Sequence, residues 1–162
     1  MTDALVFDLV SKRLVTDRIT LTVNYDTENI DKGYNGPQVT DYYGRKAPKP
    51  AHGSVDLNGH TSSSDYILKS VTKLYNRIVN PGLTVRRLNV TAQNVISESD
   101  AQPRQLDLFG ENAPTDGRER RRQEAVLAIR SKYGKNSILR GMNFEEGSTA
   151  RERNGQVGGH KA

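Results

Sequence analysis

The chain of 162 residues contains no cysteine, so a disulfide, a thiolate metal site and a cysteine nucleophile are all excluded. Hydrophobic residues make up only 34% and aromatics 6%. That is thin for a chain packed along its whole length, and part of it is expected to be solvated. No apolar run approaches the roughly 20 residues of a membrane span. Met1-Thr2-Asp3 opens neither the basic patch nor the apolar run of a signal peptide. A cytoplasmic protein with no membrane partner is expected. There is no internal repeat and no convincing catalytic constellation. His52, His60 and His160 sit in Gly-rich polar contexts without paired spacing, so no metal site is expected. Asp26, Glu28 and Asp31 form an acidic cluster, but no phosphate-binding Gly-rich loop accompanies it. A solvated turn fits it better than a magnesium site.

What the chain does have is positive charge, unevenly placed. The formal net charge is +5. Residues 1–102 hold 12 Lys/Arg against 11 Asp/Glu, whereas residues 103–162 hold 12 against 8. A pI of about 9.5 suits a polyanionic partner, most simply nucleic acid.

Hydrophobic spacing predicts the elements. Leu5, Val6, Leu9, Val10 and Leu14 mark an amphipathic helix over about 3–15. In Arg18–Tyr25, Ile19, Leu21, Val23 and Tyr25 alternate with Arg18, Thr20, Thr22 and Asn24, the pattern of a half-buried strand with a polar outer face. Residues 26–52 are rich in Gly, Pro, Asp, Asn and Lys and read as a long connection. A short strand follows over His52–Gly59, with Val55 and Leu57 inward. Ser62 and Asp65 then resemble a capping box before a helix reaching Val79, with Ile67, Leu68, Val71, Leu74, Tyr75 and Ile78 on one face. Asn80-Pro81-Gly82 stops it. A third strand spans Leu83–Val95, with Leu88, Val90 and Ala92 inward. Val85 is out of phase, which predicts a bulge near Arg86. The expected fold is α+β: a small antiparallel sheet covered on one face by two helices, followed by a linker and a helical tail. The domains are 1–96, a linker over 97–117, and a basic tail over 118–162. One helix is expected within Asp116–Tyr133, with Ala125, Val126, Ile129 and Tyr133 as apolar positions and Gly134 as C-terminal cap.

The open sheet face would carry Arg18, Thr20, Thr22, Arg87, Asn89 and Thr91. Small polar residues and arginines on a twisted sheet can approach phosphates without reading sequence. An ordinary solvated sheet explains them equally well. Arg118-Glu119-Arg120-Arg121-Arg122 opposes its own helix dipole and serves a partner or a solvated helix face. Gln105-Leu106-Asp107-Leu108-Phe109 lies between flanks carrying Pro103, Gly110, Pro114 and Gly117. An exposed Leu-x-Leu-Phe in such a linker is out of place unless something binds it. The alternative is a short strand packed on its own domain. The pentapeptide resembles the motif by which bacterial replication and repair proteins dock on the sliding clamp.

Larger stretches point the same way. Leu14–Leu21, Thr61–Val79 and Leu83–Val90, with Ile129–Gly141 and Arg153–Ala162, resemble the little-finger domain and tail of bacterial Y-family translesion DNA polymerases. The likeness is to the ImpB/MucB/SamB-like DNA repair proteins. The resemblance implies damage tolerance of the SOS type, a cytoplasmic, nucleoid-associated place, and primer–template DNA and the sliding clamp as partners. It carries DNA contacts over to Arg18, Thr20, Thr22, Arg86, Arg87, Asn89 and Thr91, and clamp contacts to Gln105, Leu106, Asp107, Leu108 and Phe109. The family's palm, fingers and thumb are missing from this sequence, and they become further partners. Mg2+ is expected only in that catalytic part, a nucleotidyltransferase, so this chain alone is expected to be no enzyme and to hold no cofactor. The family's first strand is also missing, which is expected to leave an unpaired edge and a marginally stable fragment. The other functional reading is a stand-alone adaptor that binds DNA and the clamp and competes with polymerases.

Overall fold

The structure, a computed structural model, describes residues 1–101, 116–157 and 160–161. The chain divides into two compact units, residues 1–105 and 106–162.

The first unit begins with α1 (Thr2–Ser11), which buries Val6, Leu9 and Val10. Arg13 then enters the left-handed region at φ 53° and ends the helix. Leu14 therefore opens β1 (Leu14–Tyr25) and does not close a helix over 3–15. Its spacing suits either element, and the backbone of Arg13 decides between them. Within β1, Ile19, Leu21 and Val23 are fully buried and Tyr25 nearly so. The predicted alternation thus has the right phase, and each buried aliphatic contributes about 1.5–3 kcal/mol.

The expected connection over 26–52 contains structure of its own. It holds α2 (Glu28–Asp31) and a ribbon of β2 (Gln38–Thr40) and β3 (Lys46–Pro48). Buried Asn29 fastens α2 to the chain before the last long strand. Its Nδ2 donates to Asp26 O at 2.8 Å and Thr84 O at 3.0 Å, and its Oδ1 accepts from Thr84 N at 2.9 Å.

Two strands flank β1, both antiparallel: β4 (Ala51–Thr61) on one side and β5 (Val85–Gln93) on the other. A short β6 (Ile96–Ser97) returns to pair with Leu14 and Val15. Among the described residues, no strand pairs with the outer edge of β4 or β5. Asn24 pairs with Arg87 and Tyr25 with Val85, which leaves Arg86 as the extra residue of a bulge, where the sequence phase predicts one.

Between β4 and β5 runs α3 (Ser64–Ile78). Its N-cap is Ser63, whose Oγ accepts from Tyr66 N at 3.3 Å. The cap is one residue later than the Ser62/Asp65 spacing suggests, because Thr61 Oγ1 accepts Ser63 N at 3.0 Å and places Ser63 at the helix entry. Ile67, Val71 and Leu74 are buried. Leu74 packs with Leu21, Val23 and Tyr25 to form the core between helix and sheet. Gly53 permits that close approach, since a Cβ there would stand 3.1 Å from Leu74 Cδ1 and 3.3 Å from Ile78 Cγ2. With α1 and α3 on one face of a small antiparallel sheet, the α+β class is borne out.

In the second unit, α4 (Asp116–Tyr133) covers the predicted helix. Gly134, at φ 91°, caps it and donates its N–H to Arg130 O at 2.9 Å. Ala125, Ile129 and Tyr133, expected as apolar positions, are exposed. A 3-10 turn (Gly141–Phe144), α5 (Ala150–Asn154), β7 (Gln156–Val157) and β8 (His160–Lys161) complete the unit. No residue of 135–156 is buried. Among the described residues no helix is long and apolar enough to cross a membrane.

Candidate nucleic-acid interface

Because β1 lies between β4 and β5, its outward side chains at Arg18, Thr20 and Thr22 each have a cross-strand neighbour on both sides. Three complete rungs result: Asp56–Arg18–Gln93, Ser54–Thr20–Thr91 and His52–Thr22–Asn89. Asn24–Arg87 adds a fourth, shorter one. Directly opposed residues point to the same side of a sheet. Arg18, Thr20, Thr22, Arg87, Asn89 and Thr91 therefore share the face opposite the helices. Arg86, at the bulge, stands apart from these rungs. Its charge lies near Asp26, whose carboxyl is held below its ordinary value first by the Glu28 backbone N–H and then by Arg86.

The face is not uniformly available. Arg86, Arg87, Asn89 and Thr91 are exposed. Arg18 is exposed but bound to Asp56, with Nε 2.6 Å from Oδ1, and that hydrogen bond pushes the guanidinium further above its ordinary pKa. Thr22 Oγ1 lies 2.9 Å from His52 Nδ1. Thr20, at the centre, is only 8% exposed, and among the described residues its Oγ1 has no hydrogen-bond partner. The expectation that Thr20 lies on a solvated face is therefore corrected: it shares that face but is buried there.

Gln93 points outward as its place in the third strand predicts, whereas Asp56, Ser54 and His52 are members of this surface that were not expected. The signal was present, since Leu57 and Val55 facing inward send Asp56, Ser54 and His52 outward by the same alternation. The acidic cluster has structural roles. Asp26 Oδ1 accepts Glu28 N at 3.1 Å, and Glu28 pairs with Lys32 at 3.1 Å. Among the described residues no group of His, Asp or Glu is arranged to hold a metal ion. In α4, Arg120 pairs with Glu124 at 3.1 Å and Arg122 with Glu119 at 3.9 Å. Gln105, Leu106, Asp107, Leu108 and Phe109 lie outside the described residues.

The signature of the impB/mucB/samB family C-terminal domain matches residues 1–108, the span that holds the sheet and both covering helices. The chain belongs to that family. The resemblance read from Leu14–Leu21, Thr61–Val79 and Leu83–Val90 is borne out at this level.

Relatives of this impB/mucB/samB chain carry names from DNA repair and replication. A putative UV-damage repair protein UvrX of Bacillus subtilis is 37% identical over 112 residues, covering 68% of the chain and 25% of the relative. DNA polymerase IV 2 of Halalkalibacterium halodurans is 29% identical over 117 residues, 71% of the chain and 26% of the relative. DNA polymerase IV of Pelotomaculum thermopropionicum is 30% identical over 101 residues, 62% of the chain and 23% of the relative. The matches thus span about a quarter of each relative's length. No solved structure matches the chain significantly.

Proposed function

We propose that this impB/mucB/samB domain and its tail form the DNA-gripping, sliding-clamp-binding part of an error-prone translesion DNA polymerase. The observation that carries the reading is the set of cross-strand rungs, with Thr22 opposite Asn89 and Asn24 opposite Arg87 on the face away from the helices. Family membership and the names of the UvrX and polymerase IV relatives support it.

The chemistry follows from the rungs. Arg86 and Arg87 supply charge, and Thr22, Asn89 and Thr91 supply short hydrogen-bonding groups on a rigid sheet. Such a surface holds phosphate oxygens of primer–template DNA without reading bases. Thr20 fills the centre of the face rather than touching DNA. Gln105–Phe109 tethers the molecule to the clamp, with Leu108 and Phe109 as its apolar anchors. Nucleotidyl transfer, with its Mg2+, belongs to palm, fingers and thumb domains with which this chain works, and the chain alone is non-catalytic. The cell's nucleoid is its place of action.

Two bindings test the reading: the full chain to a labelled primer–template, and the full chain to a bacterial sliding clamp. Binding to both is expected, and binding to neither contradicts the proposal.

A further inference from the structure

We infer that the tip of the β2–β3 ribbon is a stacking site for an unpaired base of the bound DNA, a role that rests on the DNA-binding reading above. The ribbon pairs Gln38 with Pro48, Val39 with Ala47 and Thr40 with Lys46. Its base is fixed, since Pro48 is buried and Lys49 N donates to Pro37 O at 2.8 Å.

The tip is ordered from within. Asp41 N donates to Arg45 O at 2.9 Å, and Gly44, at φ 77°, donates its N–H to Asp41 O at 3.0 Å. Asp41 Oδ1 accepts the N–H groups of Tyr43 and Arg45, both at 2.9 Å, while Oδ2 accepts Arg45 Nε at 2.8 Å. This scaffold carries two tyrosines into solvent, Tyr42 at 96% exposure and Tyr43 at 78%. Their rings meet edge to face with centroids 5.5 Å apart, and the Arg45 guanidinium lies 5.2 Å from the Tyr43 centroid. Tyr43 is thereby held by Arg45 and Tyr42, whereas Tyr42 remains almost wholly exposed.

The surroundings select the ligand. Asp41 is the sole carboxylate in residues 34–50 and is paired with Arg45 at 2.7 Å, while Lys46 and Lys49 are exposed. An open aromatic face beside unneutralised ammonium groups fits a nucleobase with its phosphate. A protein partner would call for a wider apolar surface, but Val39 is the one exposed large aliphatic residue of the ribbon, and Gln38, Thr40 and Lys46 are polar. A duplex hides its base faces in the stack, so the base must be unpaired.

The test uses fluorescence anisotropy of the full chain with a labelled single strand and with a blunt duplex of the same sequence. Tyr42→Ala is expected to weaken single-strand binding about five- to tenfold, as loss of one base–aromatic stack does. Duplex binding should stay within about twofold, and Tyr42→Trp should restore the single-strand affinity. Unchanged single-strand binding in Tyr42→Ala overturns the inference, including the case in which the tip serves a protein partner. If duplex binding persists in that event, the DNA-gripping reading survives. If the unsubstituted chain binds neither strand form, both fall.

Discussion

Arg18 and Asp56 are cross-strand partners on β1 and β4, and their side chains meet with Nε 2.6 Å from Oδ1. The pair sits at one end of the polar face, so one of its arginines is already answered by a carboxylate. An exposed pair of this kind adds little stability, but it removes positive potential from the surface. Asp56→Asn is expected to tighten primer–template binding about two- to fivefold, and Arg18→Ala, which leaves Asp56 unpaired on the face, to weaken it by a similar factor. Anisotropy titrations at one fixed salt concentration check both.

Thr20 Oγ1 is buried without a hydrogen-bond partner among the described residues. Replacing it by the nearly isosteric methyl removes an unsatisfied polar group from the centre of the sheet. Thr20→Val should raise unfolding free energy by about 1 kcal/mol in urea denaturation. Its DNA affinity should match the parent chain. A fall in affinity would show that the hydroxyl reaches the ligand.

Asn29 holds Thr84 through both its amide N–H and its carbonyl oxygen, and so fixes where β5 and its bulge begin. Asn29→Ala leaves the backbone groups of Asp26 and Thr84 less well satisfied. A loss of about 2 kcal/mol of stability is expected from denaturant unfolding. Asn29→Asp keeps the acceptor for Thr84 N but sets a carboxylate oxygen against the Asp26 and Thr84 carbonyls, and should lose at least as much.

The elements that could be read from the sequence are those whose pattern is decided by a single buried face. Ile19, Leu21, Val23 and Tyr25 point into one core, so alternation alone sets the phase of β1. Val85 breaks that phase and locates the bulge at Arg86. The start of β1 was not legible, because Leu14 suits both periods and only the positive φ of Arg13 separates them. Nor was the β2–β3 ribbon, whose short strands bury almost nothing and are held by Asp41 and backbone bonds. The rung partners on β4 were within reach of the alternation rule. The pairing of Asp56 with Arg18 was not, because it depends on a register slip between Thr16 and Arg18 that composition does not announce.

The clamp-binding role proposed for Gln105–Phe109 is expected to be separable from that of the sheet. Leu108→Ala combined with Phe109→Ala should abolish clamp binding in a pull-down, since truncating paired apolar anchors removes most of a peptide's affinity. DNA affinity should remain within about twofold, because Leu108 and Phe109 carry no charge to place against phosphates. Equal loss of both activities would refute separate roles.

The central claim is that the exposed rungs of β1 and β5 grip the phosphate backbone. It is tested most directly by the salt dependence of primer–template binding for the full chain and for Arg87→Ala with Asn89→Ala. Each phosphate contact contributes about 0.9 to the slope of log affinity against log salt. A steep negative slope is expected for the parent chain, reduced by about one in the double variant, with weaker binding to every DNA sequence tried. An unaltered slope and affinity in the double variant would contradict it.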